Sequence, residues 1–325
     1  MTRQETEQDL ELHDFHPRAS DMRSEVLASL QAPDKWLSSM YFYDERGSQL
    51  FDDICELPEY YPTRTELGIM KANIREICDA IGPRAMLIEY GSGSSVKIRT
   101  LLAHMEQPAA YVPVEISKEH LVASAEALAA DFQDIEIIPV CADFTGEYEL
   151  PESSRKAERN VVYFPGSTIG NFDPEDALDL LKNMRRDAGH GGGVLIGVDL
   201  EKDAATLERA YDDAAGVTAT FNLNVLTRLN RELDADFDLE NFRHKAIWND
   251  ELHRIEMHLV SLRAQAVHID GVRIDFAAGE TIHTESSYKY TLERFAALAG
   301  RAGLAVKNVW QDAEKLFSVQ YLEVS

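Results

Sequence analysis

The sequence predicts an α/β fold, a doubly wound parallel sheet interrupted by a smaller α+β insertion. Three observations predict it. From Ala85 to Asp199 short apolar runs alternate with helical patterns, which is how a parallel sheet covered by helices on both faces is written. The first of these runs, Ala85-Met86-Leu87-Ile88, leads into Glu89-Tyr-Gly-Ser-Gly-Ser-Ser-Val-Lys97. A strand that ends in Gly-x-Gly and turns into a helix brings bare backbone close to a ligand. After Asp199 the rhythm changes to a long helical stretch and then to patterns of antiparallel strands.

Element by element, strands are predicted at 85–90, 110–115, 135–142, 160–165 and 193–199, and helices at 96–107, 117–132 and 174–188. Asp173-Pro174 supplies an N-cap and a first-turn proline for the last helix. Residues 203–233 read as helical, and 246–276 as antiparallel strands with turns at Asn249-Asp250 and Asp270-Gly271. A helix at 291–303 and a strand pair at 305–311 and 318–324 close the chain. The expected division is a sheet domain of residues 64–201 and 290–325, and a substrate-binding domain of residues 21–63 and 202–289. Residues 1–20 are polar and are expected to be flexible.

Bulk properties narrow the function. A chain of 325 residues with 45% hydrophobic content has ample core. Its net charge of −25 argues against nucleic acid or an anionic membrane as partner, since both recruit clustered Lys and Arg. Three widely spaced cysteines without a C-x-x-C fit a reducing, cytoplasmic setting and no zinc site. His13 and His16 have no further ligand cluster beside them. No apolar stretch approaches a membrane span, and the acidic start of the chain is unlike a signal peptide.

The strand ends indicate the cofactor. A dinucleotide fingerprint needs a third glycine where Val96 stands. The second strand ends in Glu115, an acid placed to accept ribose hydroxyls. The third ends in Asp143-Phe144, a carboxylate for an exocyclic amine and a ring to pack on an adenine. The fourth ends in Pro165-Gly-Ser-Thr-Ile-Gly170-Asn171, small and polar where a reacting group sits. Together these ends favour S-adenosylmethionine over NAD.

With these residues assembled, the chain resembles the histidine Nα-methyltransferases of ergothioneine biosynthesis, from about residue 36 to the C-terminus. The resemblance lies in Tyr41-Phe-Tyr43-Asp44, Leu57-Pro-Glu-Tyr-Tyr-Pro-Thr-Arg-Thr-Glu66 and Gly166-Ser-Thr-Ile-Gly-Asn171. It continues in Ala210-Tyr-Asp-Asp-Ala-Ala-Gly-Val-Thr218, Arg254-Ile-Glu-Met257 and Thr284-Glu-Ser-Ser287. It implies a Rossmann-like class I methyltransferase domain with an inserted substrate domain, and three methylations of the α-amine of L-histidine to give hercynine, the first step toward ergothioneine. It further implies that Gly91, Lys97, Glu115, Asp143, Phe144 and Ser167 contact the cofactor, Glu115 where many relatives have Asp. Tyr60, Asn171, Tyr211, Glu285 and Ser287 would bind histidine, Met257 would line the pocket, and Tyr43 would lie near the amine as the catalytic candidate. A single-chain, monomeric enzyme is expected.

These residue types suit the chemistry. Displacement at a sulfonium needs in-line positioning, a deprotonated amine, and no metal. Asn171 and Tyr211 are neutral groups that can hold the amino acid through successive protonation states. Glu285 can accept from a ring N–H, while Ser287 can donate to or accept from the other nitrogen. Three other readings compete: a methyltransferase for another free amino acid, an NAD-dependent oxidoreductase, and a non-enzymatic S-adenosylmethionine sensor. A larger aromatic substrate would favour an apolar residue at 285, and Val96 counts against NAD.

Overall fold

The computed structural model describes residues 10–15, 21–92 and 95–325. Residues 1–9 and 16–20, which include His16, and residues 93–94, which include Gly93, lie outside the described residues. Part of the segment expected to be flexible is held in place. Strand β1 (His13–Asp14) pairs in parallel with Val140–Cys141 at the sheet edge, and Leu10 packs on the core.

Helix α1 (Met22–Gln31) starts on Asp21, whose carboxylate accepts the Ser24 N–H. Strand β2 (Lys35–Trp36) and helix α2 (Glu45–Cys55) follow, the latter capped by Asp44 on the Gly47 N–H. Helix α3 (Tyr61–Ile81) carries Pro62 in its first turn and crosses the boundary expected at residue 64. Then come β3 (Ala85–Tyr90), α4 (Ser95–Leu102), β4 (Ala110–Glu115) and α5 (Lys118–Asp131). The third predicted strand is two short pieces, β5 (Glu136–Ile137) and β6 (Val140–Cys141). Pro139 between them has no N–H to donate to the ladder. Strand β7 (Arg159–Phe164), helix α6 (Pro174–Ala188) and strand β8 (Gly193–Asp199) complete the parallel half.

The insertion begins with α7 (Ala204–Tyr211) and α8 (Val217–Glu232), two helices where one stretch was expected. Gly216, with φ of 74°, makes the turn between them. Strands β9 (Phe242–Asn249), β10 (Arg254–Ser261), β11 (Gln265–Ile269), β12 (Val272–Phe276) and β13 (Thr281–Tyr288) follow. Strand β13 is unforeseen, because Thr, His, Glu and Ser dominate it and hide the strand pattern. Helix α9 (Leu292–Arg301) and strands β14 (Leu304–Gln311) and β15 (Phe317–Val324) end the chain.

The main sheet runs β1-β6-β4-β3-β7-β8-β15-β14, with β5 beside β4. Its strands are parallel from β1 to β8, and β15 enters antiparallel between β8 and β14. The fold is α/β, with a mostly parallel main sheet and an inserted second sheet. The order reverses between β3 and β7, so a crevice opens at their carboxyl ends, where such sheets bind ligands. A second sheet, β2-β13-β10-β9, is covered by α7, α8 and the N-terminal helices over its own apolar core, which includes Phe42, Leu226, Met257 and Leu259.

The two sheets meet where the chain leaves and returns. Leu200 bridges Tyr290, the Glu201 N–H donates to Tyr290 O, and the Tyr290 N–H donates to Asp199 O. Beside this crossing, the 3₁₀ turn Thr168–Asn171 after β7 lies against β13. A Cβ on Gly170 would sit 2.7 Å from Tyr288 O and 3.3 Å from Tyr288 N. Gly170→Ala should therefore destabilise the protein by about 1–3 kcal/mol, read by urea unfolding. An unchanged midpoint would contradict this close packing.

Candidate active site

The carboxyl edge of the main sheet presents the first group of predicted residues. Gly91 follows β3 with φ of 73°, and its N–H donates to Val114 O. Glu115 ends β4 and accepts the N–H groups of Ile116 and Ser117 on Oε1. Asp143 accepts from the Thr145 N–H and hydroxyl on Oδ1. Among the described residues, neither Glu115 Oε2 nor Asp143 Oδ2 has a hydrogen-bond partner assigned, so each acid steadies its own turn with one oxygen and presents the other. Phe144 stacks on Tyr90 at 5.2 Å between centroids and meets Phe164 edge-on at 5.8 Å. The Ser92 hydroxyl in the glycine loop is buried without a partner among the described residues. A glycine turn, two half-free acids and a supported aromatic face fit an adenosyl group, which needs all three kinds of contact.

Two further predicted residues lie deeper on the same edge. Lys97, on α4, pairs with buried Glu66, and Glu66 also accepts the Gly166 N–H at 2.9 and 3.0 Å. Glu66 on α3 thus ties the helix after the glycine loop to the loop after β7. Ser167 adopts φ of 56° and accepts the Asp199 N–H on its Oγ at 2.9 Å. Its hydroxyl is engaged with the sheet and remains close to the cofactor edge.

The second group gathers on β13 and the helices around it. Glu285 and Ser287 are two apart on one strand face. Met257 is the register partner of Glu285 and is buried in the second core. Tyr60 and Tyr211 meet edge-on at 6.2 Å, and Phe51 links Tyr60 to Tyr43 through contacts of 6.3 and 5.7 Å. Tyr43 remains 46% exposed although Phe51 and Phe221 flank its ring. Burial, then the Glu285 charge, still pushes its hydroxyl above the usual tyrosine range. Tyr60 and Tyr211 are likewise raised by burial and feel the same carboxylate. Burial raises Glu285 itself to about 7, with Lys289 pulling it back. Asn171 is exposed at the end of the turn that packs on Ser287 and Tyr288.

Between the two groups lies a buried network that sequence reading missed. Asp199, at the end of β8, is fully buried. It accepts from Tyr61 at 2.7 and 2.9 Å, from Lys202 at 2.7 Å and from Lys289 at 2.7 Å. Burial works against its charge, but the two lysines hold it below the ordinary carboxylate range. Lys289 also donates to Ser287 Oγ at 2.9 Å and to the Tyr211 hydroxyl at 3.0 Å. One sequence signal was available for each. Asp199 is an acid closing a wholly apolar strand, and Lys289 is a cation between two buried tyrosines, Tyr288 and Tyr290. Glu66 stood in a quoted motif without a role. Cys55 accepts the Thr63 hydroxyl at 3.3 Å, and burial raises its thiol. Asp199 thus joins the two groups: its backbone N–H donates to Ser167, and its carboxylate accepts from Lys289, which reaches Ser287 and Tyr211.

Comparison with known proteins shows the family. Residues 22–324 match the family model for histidine-specific, S-adenosylmethionine-dependent methyltransferases. The chain is 43% identical over 300 residues to the histidine N-alpha-methyltransferase of Mycolicibacterium smegmatis, covering 90% of this chain and 92% of that one. It is 42% identical over 296 residues to the histidine N-alpha-methyltransferase of Mycobacterium tuberculosis, covering 90% and 91%. A more distant relative is ergothioneine biosynthesis protein 1 of Neurospora crassa, 28% identical over 303 residues, covering 89% of this chain and 34% of that one.

The raised carboxyl of Glu285 has a consequence for the unliganded protein. Its ordinary value is 4.5 and its value in the fold is about 7. The fold prefers the neutral acid, so the penalty grows as pH rises from the first value to the second and is absent below both. Glu285→Gln should match the parent in thermal midpoint at pH 4 and exceed it at pH 8. Equal midpoints at both would show that Glu285 is well solvated.

Proposed function

The chain belongs to the histidine-specific, S-adenosylmethionine-dependent methyltransferases, and we propose that it trimethylates the α-amine of L-histidine to hercynine, the first step of ergothioneine biosynthesis. The observation that carries this reading is the placement of Glu285 and Ser287 two positions apart on β13, with the Ser287 hydroxyl bonded to that of Tyr211 and the Tyr60 ring against the Tyr211 ring. We take the working unit to be a single chain in the cytoplasm, free of nucleic acid and membrane. Among the described residues, no helix is long and apolar enough to cross a membrane, and no group of three or more His, Cys, Asp or Glu residues is placed to hold a metal ion.

In this reading Gly91 lets the donor's backbone-facing side approach, Glu115 holds its ribose and Asp143 with Phe144 its adenine. Lys97 and Ser167 steady the inner wall. When bound, S-adenosylmethionine supplies a sulfonium methyl group, an electrophile needing no acid. Glu285 and Ser287 hold the imidazole, and Met257 forms the apolar floor beneath it. Asn171 and Tyr211 orient the amino-acid end. Anchoring at the ring leaves the amine free to turn between transfers, which three methylations of one nitrogen require.

The amine reacts only when neutral, and a free α-amine has a pKa of about 8. Tyr43 is the proposed partner of that nitrogen. Burial and Glu285 keep its hydroxyl protonated, so it orients the amine and relays a proton to water without storing one. The acceptor at 285 favours histidine over an amino acid with an apolar ring, because such a ring leaves the half-buried carboxyl unpaired.

Mass spectrometry after incubation with S-adenosylmethionine and mixed amino acids should show one, two and three methyl groups added to histidine alone. No transfer to histidine would overturn the proposal. Glu285→Ala should raise the histidine KM at least about tenfold and leave S-adenosylhomocysteine affinity nearly unchanged. Intact histidine affinity by calorimetry would remove Glu285 from the pocket. Tyr43→Phe should slow transfer about tenfold or more; equal rates at all three steps would take Tyr43 out of the mechanism.

A further inference from the structure

The hydrogen bonds around Lys289 determine which way the hydroxyls beside Glu285 point. The Lys289 side chain is buried, and its ammonium has three hydrogens. Three acceptors surround it: Asp199 Oδ2 at 2.7 Å, Ser287 Oγ at 2.9 Å and the Tyr211 hydroxyl at 3.0 Å. Burial opposes its charge, but Asp199 and the Tyr211 hydroxyl outweigh burial and hold it above the ordinary lysine range. Lys289 is therefore a donor to both hydroxyls.

Those hydroxyls also bond to one another, 2.9 Å apart. Between them they carry two hydrogens, and one lies in that shared bond. Tyr211 donates to Ser287 Oγ in that bond, so the hydroxyl hydrogen left over is the one on Ser287. The pair therefore faces the pocket as a donor. Tyr211 is held at its other end too. Asn222 donates to His244 Nδ1 at 2.8 Å, so His244 Nε2 carries the proton and donates to Tyr211 O at 2.8 Å. The Tyr211 ring also lies under the Lys289 ammonium, 4.9 Å from centroid to Nζ.

We propose that Lys289 is a positioning residue that commits the Tyr211–Ser287 pair to donate toward the substrate, so the pocket selects a ring bearing an unprotonated nitrogen beside an N–H. This rests on the reading that β13 holds the substrate ring. Glu285 supplies the acceptor, two positions away on the same strand face. A neutral imidazole presents one donor and one acceptor and satisfies both sides. An indole or pyrrole ring satisfies Glu285 alone, and a phenyl ring satisfies neither. Lys289 thus contributes to selectivity without touching the substrate.

Matched amino acids test this directly. L-(4-thiazolyl)alanine and L-(5-thiazolyl)alanine each carry one ring nitrogen acceptor. L-(3-thienyl)alanine and L-(2-thienyl)alanine are the respective rings with that nitrogen replaced by C–H. Titration calorimetry with S-adenosylhomocysteine present should show at least one thiazolyl isomer binding about tenfold tighter than its thienyl counterpart. In Lys289→Met that gap should shrink below about threefold, with S-adenosylhomocysteine affinity unchanged. Equal binding within both pairs in the parent protein overturns the donor assignment even if the variant does not fold. A full gap retained in a folded Lys289→Met overturns the role of Lys289. Histidine that fails to bind in the same titration overturns the functional reading itself, and the inference with it.

Discussion

The fully buried carboxylate of Asp199 is the constraint on which the rest of the structure depends. A lone charge in that position would be severely penalised, and removing one partner of such a pair typically costs about 3–5 kcal/mol. Asp199 is paired on several sides, by Lys289, Lys202 and Tyr61. These partners come from α3, the exit of the insertion and its return. The knot therefore forms only when the main sheet, the long helix and the inserted domain are assembled together. Its backbone N–H holds Ser167 on the cofactor edge, while its carboxylate holds Lys289 on the substrate edge.

That arrangement solves a problem of alignment. Methyl transfer depends chiefly on placing nitrogen, carbon and sulfur in line, and in the proposed reading the two reactants are held by different sheets. A flexible junction would let the reactants drift apart. Here the junction is stiffened by the Asp199 knot, by the Leu200–Tyr290 bridge and by Gly170 pressed against β13. Glu66 does the same within the cofactor edge, bracing Lys97 and Gly166 from α3. Gly197 leaves the space for it: a Cβ there would lie 2.2 Å from Glu66 Oε1. Polar groups inside the fold thus serve placement, and the three hydrophobic core clusters supply cohesion.

The cofactor edge was largely legible in the sequence, for a physical reason. Buried parallel strands are continuous apolar runs, and the ligand side is always their carboxyl end, so Gly91, Glu115, Asp143 and Phe144 could be located by position alone. The insertion was less legible. Strand β13 hides its pattern because Thr, His, Glu and Ser dominate it, and Glu285 and Ser287 were singled out only through family resemblance. Pro139 broke a strand that hydropathy alone reads as continuous, and Gly216 divided one helical stretch into two. Asp199 and Lys289 were overlooked because neither makes sense until the partner, 90 positions away along the chain, is brought against it. Pairings of that kind carry no local signature.

A crystal structure with S-adenosylhomocysteine and histidine bound together is the most direct measurement of the central claim, that one braced crevice holds both reactants. The account predicts the imidazole between Glu285 and Ser287, the α-amine beside Tyr43 and turned toward the sulfur, and Asp199 still joined to Lys289. An imidazole bound away from β13, or an amine directed away from the carboxyl edge of the main sheet, would contradict it.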